Sequence, residues 1–305
     1  MKYESALFCA KEAFNVAQTE TERAEAMNFK GDCLLALQRY EEALQIYNNS
    51  LAQFQNDCKR EAEPFLKEHI AKAFFKKMET LSKLERQAEI LSVYDEMVCR
   101  FGEDNTPFIR RYLAKALCEK AHYFTQLAKK ENSFAAYAFT LYDELLQKFG
   151  NETDIEIKRT VAKAMREKAS NSFFNLLYKG LDDNTIKAYD ALLQKFGNET
   201  DTTIKQQVAD VMNRKGVALV GLKRREDAIK AYDACIEKFS NETDTTIKQK
   251  VAWAMRNKGV GLDNLNRKKE SIKAFDACIE KFSNETDKEI QEIVKEAREK
   301  RDKLR

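Results

Sequence analysis

The stretch NETDTTIKQKVAWAMRNKGVGLDNLNRKKESIKAFDACIEKF, from Asn241 to Phe282, decides the fold. Its apolar residues recur at spacings of three, four or seven, as Val251, Met255, Leu262 and Leu265, then as Ile272, Phe275, Ile279 and Phe282. Each half therefore has the pattern of an amphipathic helix. The polar segment between them, Asn266 to Lys269, is so short that it predicts an antiparallel helical hairpin.

This hairpin belongs to a repeat. The string Asn-Glu-Thr-Asp begins at four positions, Asn151, Asn198, Asn241 and Asn284, with spacings of 47, 43 and 43 residues. Aromatic residues seven apart mark two diverged earlier copies, Tyr47 with Phe54 and Tyr94 with Phe101. A fixed period of this length is typical of stacked helical repeats, so the sequence predicts about six helix pairs.

We expect these pairs to form one solenoid with a capping helix at each end. The predicted segments are an N-terminal capping helix at 1–18, helix pairs at 21–54, 68–101, 110–149, 155–196, 203–239 and 244–282, and a C-terminal capping helix at 288–305. Extra residues at Ala128–Ala135 and Asn175–Asp183 predict longer hairpins in the third and fourth pairs.

The repeated string also predicts where first helices begin. Either Thr243 or Asp244 can accept hydrogen bonds from first-turn amides, and Thr286 with Glu289 fits a capping box. Asn-Glu-Thr also matches the glycosylation acceptor pattern, but we interpret it as helix punctuation.

The hairpins resemble the tetratricopeptide repeat family. That family has small residues at its eighth, twentieth and twenty-seventh positions and an aromatic residue at its twenty-fourth; the final copy has Gly259, Ser271, Cys278 and Phe275 there. The preceding copy has Gly216, Ala228, Cys235 and Tyr232, and the first has Gly31, Ala43, Ser50 and Tyr47. The resemblance implies an all-α, right-handed superhelical solenoid of antiparallel helix pairs.

Composition limits the function classes. Fifty-three Lys and Arg residues against 50 Asp and Glu residues give a net charge of +3, so no global field would attract nucleic acid or a membrane. Seven Cys without a CxxC spacing fit a reducing compartment, and no secretory leader or membrane span is expected. These features predict a cytoplasmic protein.

The sequence offers no candidate for catalysis. His69 and His122 are too few and too far apart for a metal cage or a general-base system, and no phosphate-binding loop or nucleophile elbow occurs. We expect no enzyme activity, no cofactor and no metal.

The resemblance implies a concave surface lined by the first helices, which binds another protein or peptide. The residues predicted to bind a partner there are Lys72, Lys76, Lys115, Lys163, Arg166, Asn213, Arg214, Trp253, Arg256 and Asn257. Over five repeats this surface has seven basic and four acidic residues, which favours a partner of acidic character. The alternative is that these are ordinary solvated helix faces, with Trp253 packed on the following helix.

The predicted function is therefore a protein-interaction scaffold. Self-association through exposed end faces is a second hypothesis. RNA binding is a third and is less favoured, because it would require a more basic face and a repeated pair of base-reading residues.

Overall fold

A computed structural model gives the fold and describes residues 2–54, 64–179 and 183–305; it does not describe the side chains of Lys2, Gln87 and 171–179. Predictions that involve Cys58, the side chains 175–179 or residues 180–182 lie outside this description. The described residues form fourteen helices and no strand, so the predicted all-α class is confirmed.

The chain divides into two compact units, Met1–Val161 and Ala162–Arg305. The helices of unit 1 are α1 (Lys2–Val16), α2 (Glu20–Ala36), α3 (Tyr40–Gln53), α4 (Pro64–Lys83), α5 (Gln87–Phe101), α6 (Pro107–Ala128) and α7 (Ser133–Phe149). Helices α2, α4 and α6 each pack on the helix that follows, and α4 also packs on α2 and on α6. This is the neighbour-on-neighbour packing of a repeat array.

Helix α8 (Ile155–Lys179) begins in unit 1 and continues into unit 2. The other helices of unit 2 are α9 (Asp183–Phe196), α10 (Thr202–Gly221), α11 (Arg225–Phe239), α12 (Thr245–Asp263), α13 (Lys268–Phe282) and α14 (Lys288–Leu304). Here α10 packs on α11 and α12 on α13, while α12 also packs on α10 and on α14. The right-handed superhelix and the single continuous solenoid stay predictions.

The small and aromatic residues of the repeat lock each hairpin. A Cβ atom added at Gly31 would lie 2.4 Å from the Tyr47 ring, and one at Gly259 would lie 2.5 Å from the Phe275 ring. Both rings are almost completely buried. The Ser271 hydroxyl also donates a hydrogen bond to the Gly259 carbonyl over 2.8 Å. Glycine is required at these two positions, because only a bare backbone leaves room for the ring.

Aspartate, not threonine, caps the first helices of the later repeats. Asp244 precedes α12, and its carboxylate accepts a hydrogen bond from the Ile247 amide. Asp287 does the same for α14 with the Ile290 amide, so the predicted capping box of Thr286 with Glu289 is wrong. The carboxylate is the better cap, since it also brings a negative charge to the positive end of the helix dipole.

The repeated string has a second structural role in joining neighbouring pairs. The Lys205 ammonium lies 2.7 Å from the Glu242 carboxylate, and the Gln206 amide donates to Asp244 over 3.1 Å. Lys248 with Glu285 and Gln249 with Asp287 repeat these contacts one pair later. The glutamate and aspartate of the string therefore tie each first helix to the next.

Lysines at equivalent positions of different repeats, such as Lys120 and Lys258, also hold helices together. The Lys258 ammonium contacts the Asp233 carboxylate at 2.6 Å, and Lys120 contacts Asp95 at 2.9 Å. Lys120 also lies over the Tyr94 ring, 4.3 Å from its centroid. Each aspartate is on the preceding second helix, so these lysines have a structural role.

The hairpin turns place a residue in the left-handed backbone region. Gln38, Glu85, Lys223 and Asn266 have φ angles of 59°, 57°, 61° and 58°. At α10 the Lys223 amide donates to the Val220 carbonyl and the Arg224 amide to the Leu219 carbonyl, which closes the end of the helix.

We expect Lys223→Gly to raise the free energy of unfolding by about 0.5–1 kcal/mol, because glycine has no Cβ to clash in this conformation. Urea denaturation measures the change. Asn266→Gly is the matched control at the equivalent turn, and its effect should be smaller, since asparagine tolerates the left-handed region. A loss of stability in Lys223→Gly would contradict the strain argument.

Candidate functional site

The predicted basic residues of unit 1 already have acidic partners. The Lys72 ammonium lies 3.0 Å from Asp32, and the Lys76 ammonium lies 2.8 Å from Glu79. Lys115 pairs with Glu156 at 3.0 Å. The sequence count of basic residues therefore overstates the positive charge that a partner would meet in this unit.

Phe75, Glu79, Glu119 and His122 line one pocket of unit 1. Its volume is about 470 Å³, and Met78, Ile90 and Tyr123 supply further apolar wall.

In unit 2 a nearly buried carboxylate organises the predicted basic residues. The side chain of Asp210 is 15% exposed, and the Arg214 Nε donates to it over 2.6 Å. Arg166 Nη1 lies 3.3 Å from the same carboxylate and Lys250 Nζ lies 3.4 Å from it. Burial opposes ionisation of Asp210, but the Arg214, Lys250 and Arg166 cations outweigh it and hold its pKa below the ordinary value.

The cations of this cluster outnumber the carboxylates that they contact. Three cations share Asp210, and Arg166 has one further acidic partner, Glu167, at 2.5 Å. Arg214 uses only its Nε within the described part of the chain, so its two terminal Nη groups face no acceptor there. Lys163, also predicted for the site, is half-buried on α8 and already interacts with neighbouring groups.

Next to Asp210 lies a pocket of about 310 Å³ between α10 and α12. Its walls are Tyr189, Asp210, Asn213, Arg214, Val217, Lys250, Trp253, Asn257 and Glu289. Four of the ten predicted residues, Asn213, Arg214, Trp253 and Asn257, are thus brought together. We call this the α10–α12 pocket.

Trp253 and Val217 supply the apolar part of the α10–α12 pocket. They are 37% and 41% exposed, which is unusual for large apolar side chains on a face otherwise occupied by ion pairs. The Arg256 guanidinium lies 4.8 Å from the Trp253 ring centroid. The Trp253 ring therefore stacks on Arg256 and is partly exposed to solvent.

The two asparagines have different roles. Asn213 is 6% exposed, and its amide donates to the Lys250 carbonyl over 2.8 Å, which fastens α10 to α12. The Asn257 carbonyl accepts from Arg256 over 2.6 Å, and within the described residues no acceptor meets its amide nitrogen. Asn257 is thus the amide that a ligand can reach.

Arg256 is mainly a fastening for the last helix. Its Nη2 lies 2.7 Å from the Glu296 carboxylate of α14, while the same guanidinium stacks on Trp253. Sequence spacing placed Arg256 on the predicted inner surface but did not reveal this partner, because Glu296 lies on α14, outside the six predicted pairs. Lys250 was also missed, since it precedes the part of α12 whose residues were predicted to face the inner surface.

The buried cysteines of unit 2 are not activated as nucleophiles. Burial raises the pKa of the Cys235 and Cys278 thiols to about 12, so neither forms a nucleophilic thiolate near neutral pH. Within the described ranges, no group of three or more His, Cys, Asp or Glu side chains has an arrangement that would hold a metal ion. In those ranges no helix has the length and apolarity required to cross a bilayer.

No family model matches the sequence, and no curated protein is significantly similar to it. Solved structures that match include a tetratricopeptide repeat protein from Parabacteroides merdae, at 14% identity with a TM-score of 0.48, covering 97% of this chain and 92% of that one. The TPR2AB domain of yeast Sti1 in a pHSP90 complex has 17% identity, a TM-score of 0.34 and the same coverage. Acl4, an assembly chaperone of RpL4, has 12% identity, a TM-score of 0.46 and coverage of 92% and 97%. The chain is thus similar to tetratricopeptide repeat structures over most of its length, at low identity.

Proposed function

We propose that this protein is a non-enzymatic interaction scaffold that binds a segment of a partner protein, and that the α10–α12 pocket is one anchoring point. The observation that carries the proposal is the exposure of Trp253 and Val217 beside the Asn257 amide nitrogen and the Arg214 Nη groups, which meet no acceptor among the described residues. Covering the rest of a tryptophan side chain contributes about 1–2 kcal/mol, and Trp with Arg is a frequent pair at binding hot spots. We also place the protein in the cytoplasm, on the basis of its seven cysteines, which have no CxxC spacing.

The pocket indicates the chemistry of the bound segment. An apolar side chain would cover the open side of Trp253, while a backbone carbonyl or carboxylate would accept from Arg214 and Asn257. An acidic partner stays a prediction. Its support is the group of Arg214, Arg166 and Lys250 around Asp210, since the predicted cations Lys72, Lys76 and Lys115 of unit 1 are paired.

Trp253→Ala combined with Arg214→Ala should remove a partner that the unchanged protein captures from its source cells. The salt bridge between Arg256 and Glu296 and the contacts of Asp210 with Arg166 and Lys250 remain in this variant, and circular dichroism checks that it is folded. Quantitative mass spectrometry of the captured proteins is the measurement.

Phe65→Ala provides the matched control, because Phe65 is 64% exposed and lies in unit 1. A partner lost with the pocket variant but kept with Phe65→Ala supports the proposal. Equal retention by all three proteins would place the interaction elsewhere.

A further inference from the structure

Large apolar side chains are exposed near the start of the chain. Within the described residues, Tyr3, Phe8, Phe14, Val16 and Phe29 are 51%, 65%, 37%, 72% and 46% exposed. Isolated cases are common on protein surfaces, whereas neighbouring ones mark an interaction site.

Two of these side chains, Val16 and Phe29, lie together in a groove between the end of α1 and α2. The groove has a volume of about 490 Å³ and is lined by Ala13, Val16, Ala17, Gln18, Glu22, Glu25, Ala26 and Phe29. We call it the α1–α2 groove. Three alanines give it a shallow floor, and Val16 and Phe29 form raised apolar sides.

The rim of the α1–α2 groove is acidic. Glu22 and Glu25 line it, and no lysine or arginine does. The Glu22 carboxylate accepts hydrogen bonds from the Gln18 and Thr19 amides over 2.7 and 3.1 Å, and these bonds lower its pKa. Glu22 is therefore fixed in place as a carboxylate. Glu25 is exposed and has no ion pair in the part of the chain that the structure describes.

Lysine and arginine do not line this rim. Lys11 and Lys30 act on Glu42, Arg23 lies on α2 outside the groove, and Glu25 influences His69, whose pKa burial lowers. The α1–α2 groove thus differs from the α10–α12 pocket, whose wall has Arg214 and Lys250 beside Asp210 and Glu289.

We propose that the α1–α2 groove binds a partner segment that carries a large apolar side chain flanked by Lys or Arg. The apolar side chain would rest on the alanine floor between Val16 and Phe29. The flanking cation would meet Glu25 and Glu22, and the Phe29 ring attracts cations as well. An anionic membrane, which exposed aromatic side chains could otherwise enter, is repelled by the two carboxylates.

A peptide selection tests this proposal on the whole chain. A random dodecapeptide library displayed on phage is selected on the immobilised protein, and the enriched peptides are synthesised with a fluorescent label. We expect them to share a large apolar residue with neighbouring Lys or Arg. A selection that enriches no peptide of this composition would overturn the proposal, and acidic peptides whose binding is lost in Trp253→Ala would be assigned to the α10–α12 pocket.

Variants locate the binding of the selected peptides by fluorescence anisotropy. Glu25→Lys and Phe29→Ala should each weaken binding about tenfold or more, while Trp253→Ala in unit 2 should leave it unchanged. Higher salt should weaken binding to the unchanged protein, as for any contact between opposite charges. Equal binding by all variants would refute the site.

Thermal melts distinguish a loss of binding from a loss of folding. Glu25 is exposed and unpaired in the described structure, so Glu25→Lys should melt as the unchanged protein does, and it decides the test if Phe29→Ala proves less stable. The result is also separate from the α10–α12 proposal, because Trp253→Ala probes that pocket alone.

Discussion

Replacing Gly259 by alanine should lower the free energy of unfolding by about 2 kcal/mol, even though alanine is the better helix former by about 1 kcal/mol. The added Cβ would lie 2.5 Å from the Phe275 ring, closer than any ordinary van der Waals contact. Phe275 is 1% exposed and belongs to the core between α12 and α13, so the ring has no space to move into. Either the hairpin opens slightly or the ring leaves its rotamer.

Gly216→Ala should have a similar effect, since its Cβ would lie 2.3 Å from the Tyr232 ring. The two hairpins are equivalent, and the double variant should lose more than either single variant. Urea denaturation followed by circular dichroism measures all three.

Gly261→Ala is a control on the same helix as Gly259. Its Cβ would meet Ile229 at 3.5 Å, which is an ordinary contact, so the helix propensity of alanine should prevail and stabilise by about 0.5–1 kcal/mol. The two alanines are two positions apart and should act with opposite sign. Destabilisation by both, to the same extent, would contradict the specific role of the Phe275 contact.

These glycines show how far a sequence pattern can go. The sequence predicted each hairpin and placed small residues and an aromatic ring at fixed positions in it, but it did not predict that the ring lies against the glycine of the same hairpin. The prediction worked because the repeat forces the same local geometry on each copy. The prediction that Thr286 caps α14 was wrong, because Thr286 and Asp287 are adjacent polar residues that can both cap a helix. Spacing alone does not choose between them.

Charge pairing could not be predicted in the same way. Helical periodicity tells which side chains share a face, but not which acid from another helix reaches them. Lys72 finds Asp32 in the previous pair, and Arg256 finds Glu296 on α14. Counting basic residues on one face therefore indicated a stronger field than the structure leaves to a partner, and the pocket around Asp210 became visible only with coordinates.

Asp210→Asn should lower the free energy of unfolding by about 3 kcal/mol near neutral pH. The neutral side chain keeps the shape but removes the only negative charge that Arg214 and Lys250 share in the described structure, while Arg166 retains Glu167. Leaving Arg214 and Lys250 without a counter-charge on a nearly buried surface lowers the free energy of unfolding. Asp233→Asn is the control, because Asp233 is 47% exposed and pairs with Lys258 alone, so its loss should be about 0.5 kcal/mol.

The pH dependence of this difference identifies its cause. The Asp210 pKa in the folded chain lies below its ordinary value of 3.8, so the folded state binds the proton less readily than the unfolded state. The stability that the carboxylate supplies is therefore complete above that ordinary value and is lost as the pH falls through the lower pKa of the folded chain. Unfolding curves for the unchanged protein and Asp210→Asn should be well separated at neutral pH and should converge in acid. If their separation did not depend on pH, the loss would come from altered packing, and Arg214 would not be held for a ligand by the charge of Asp210.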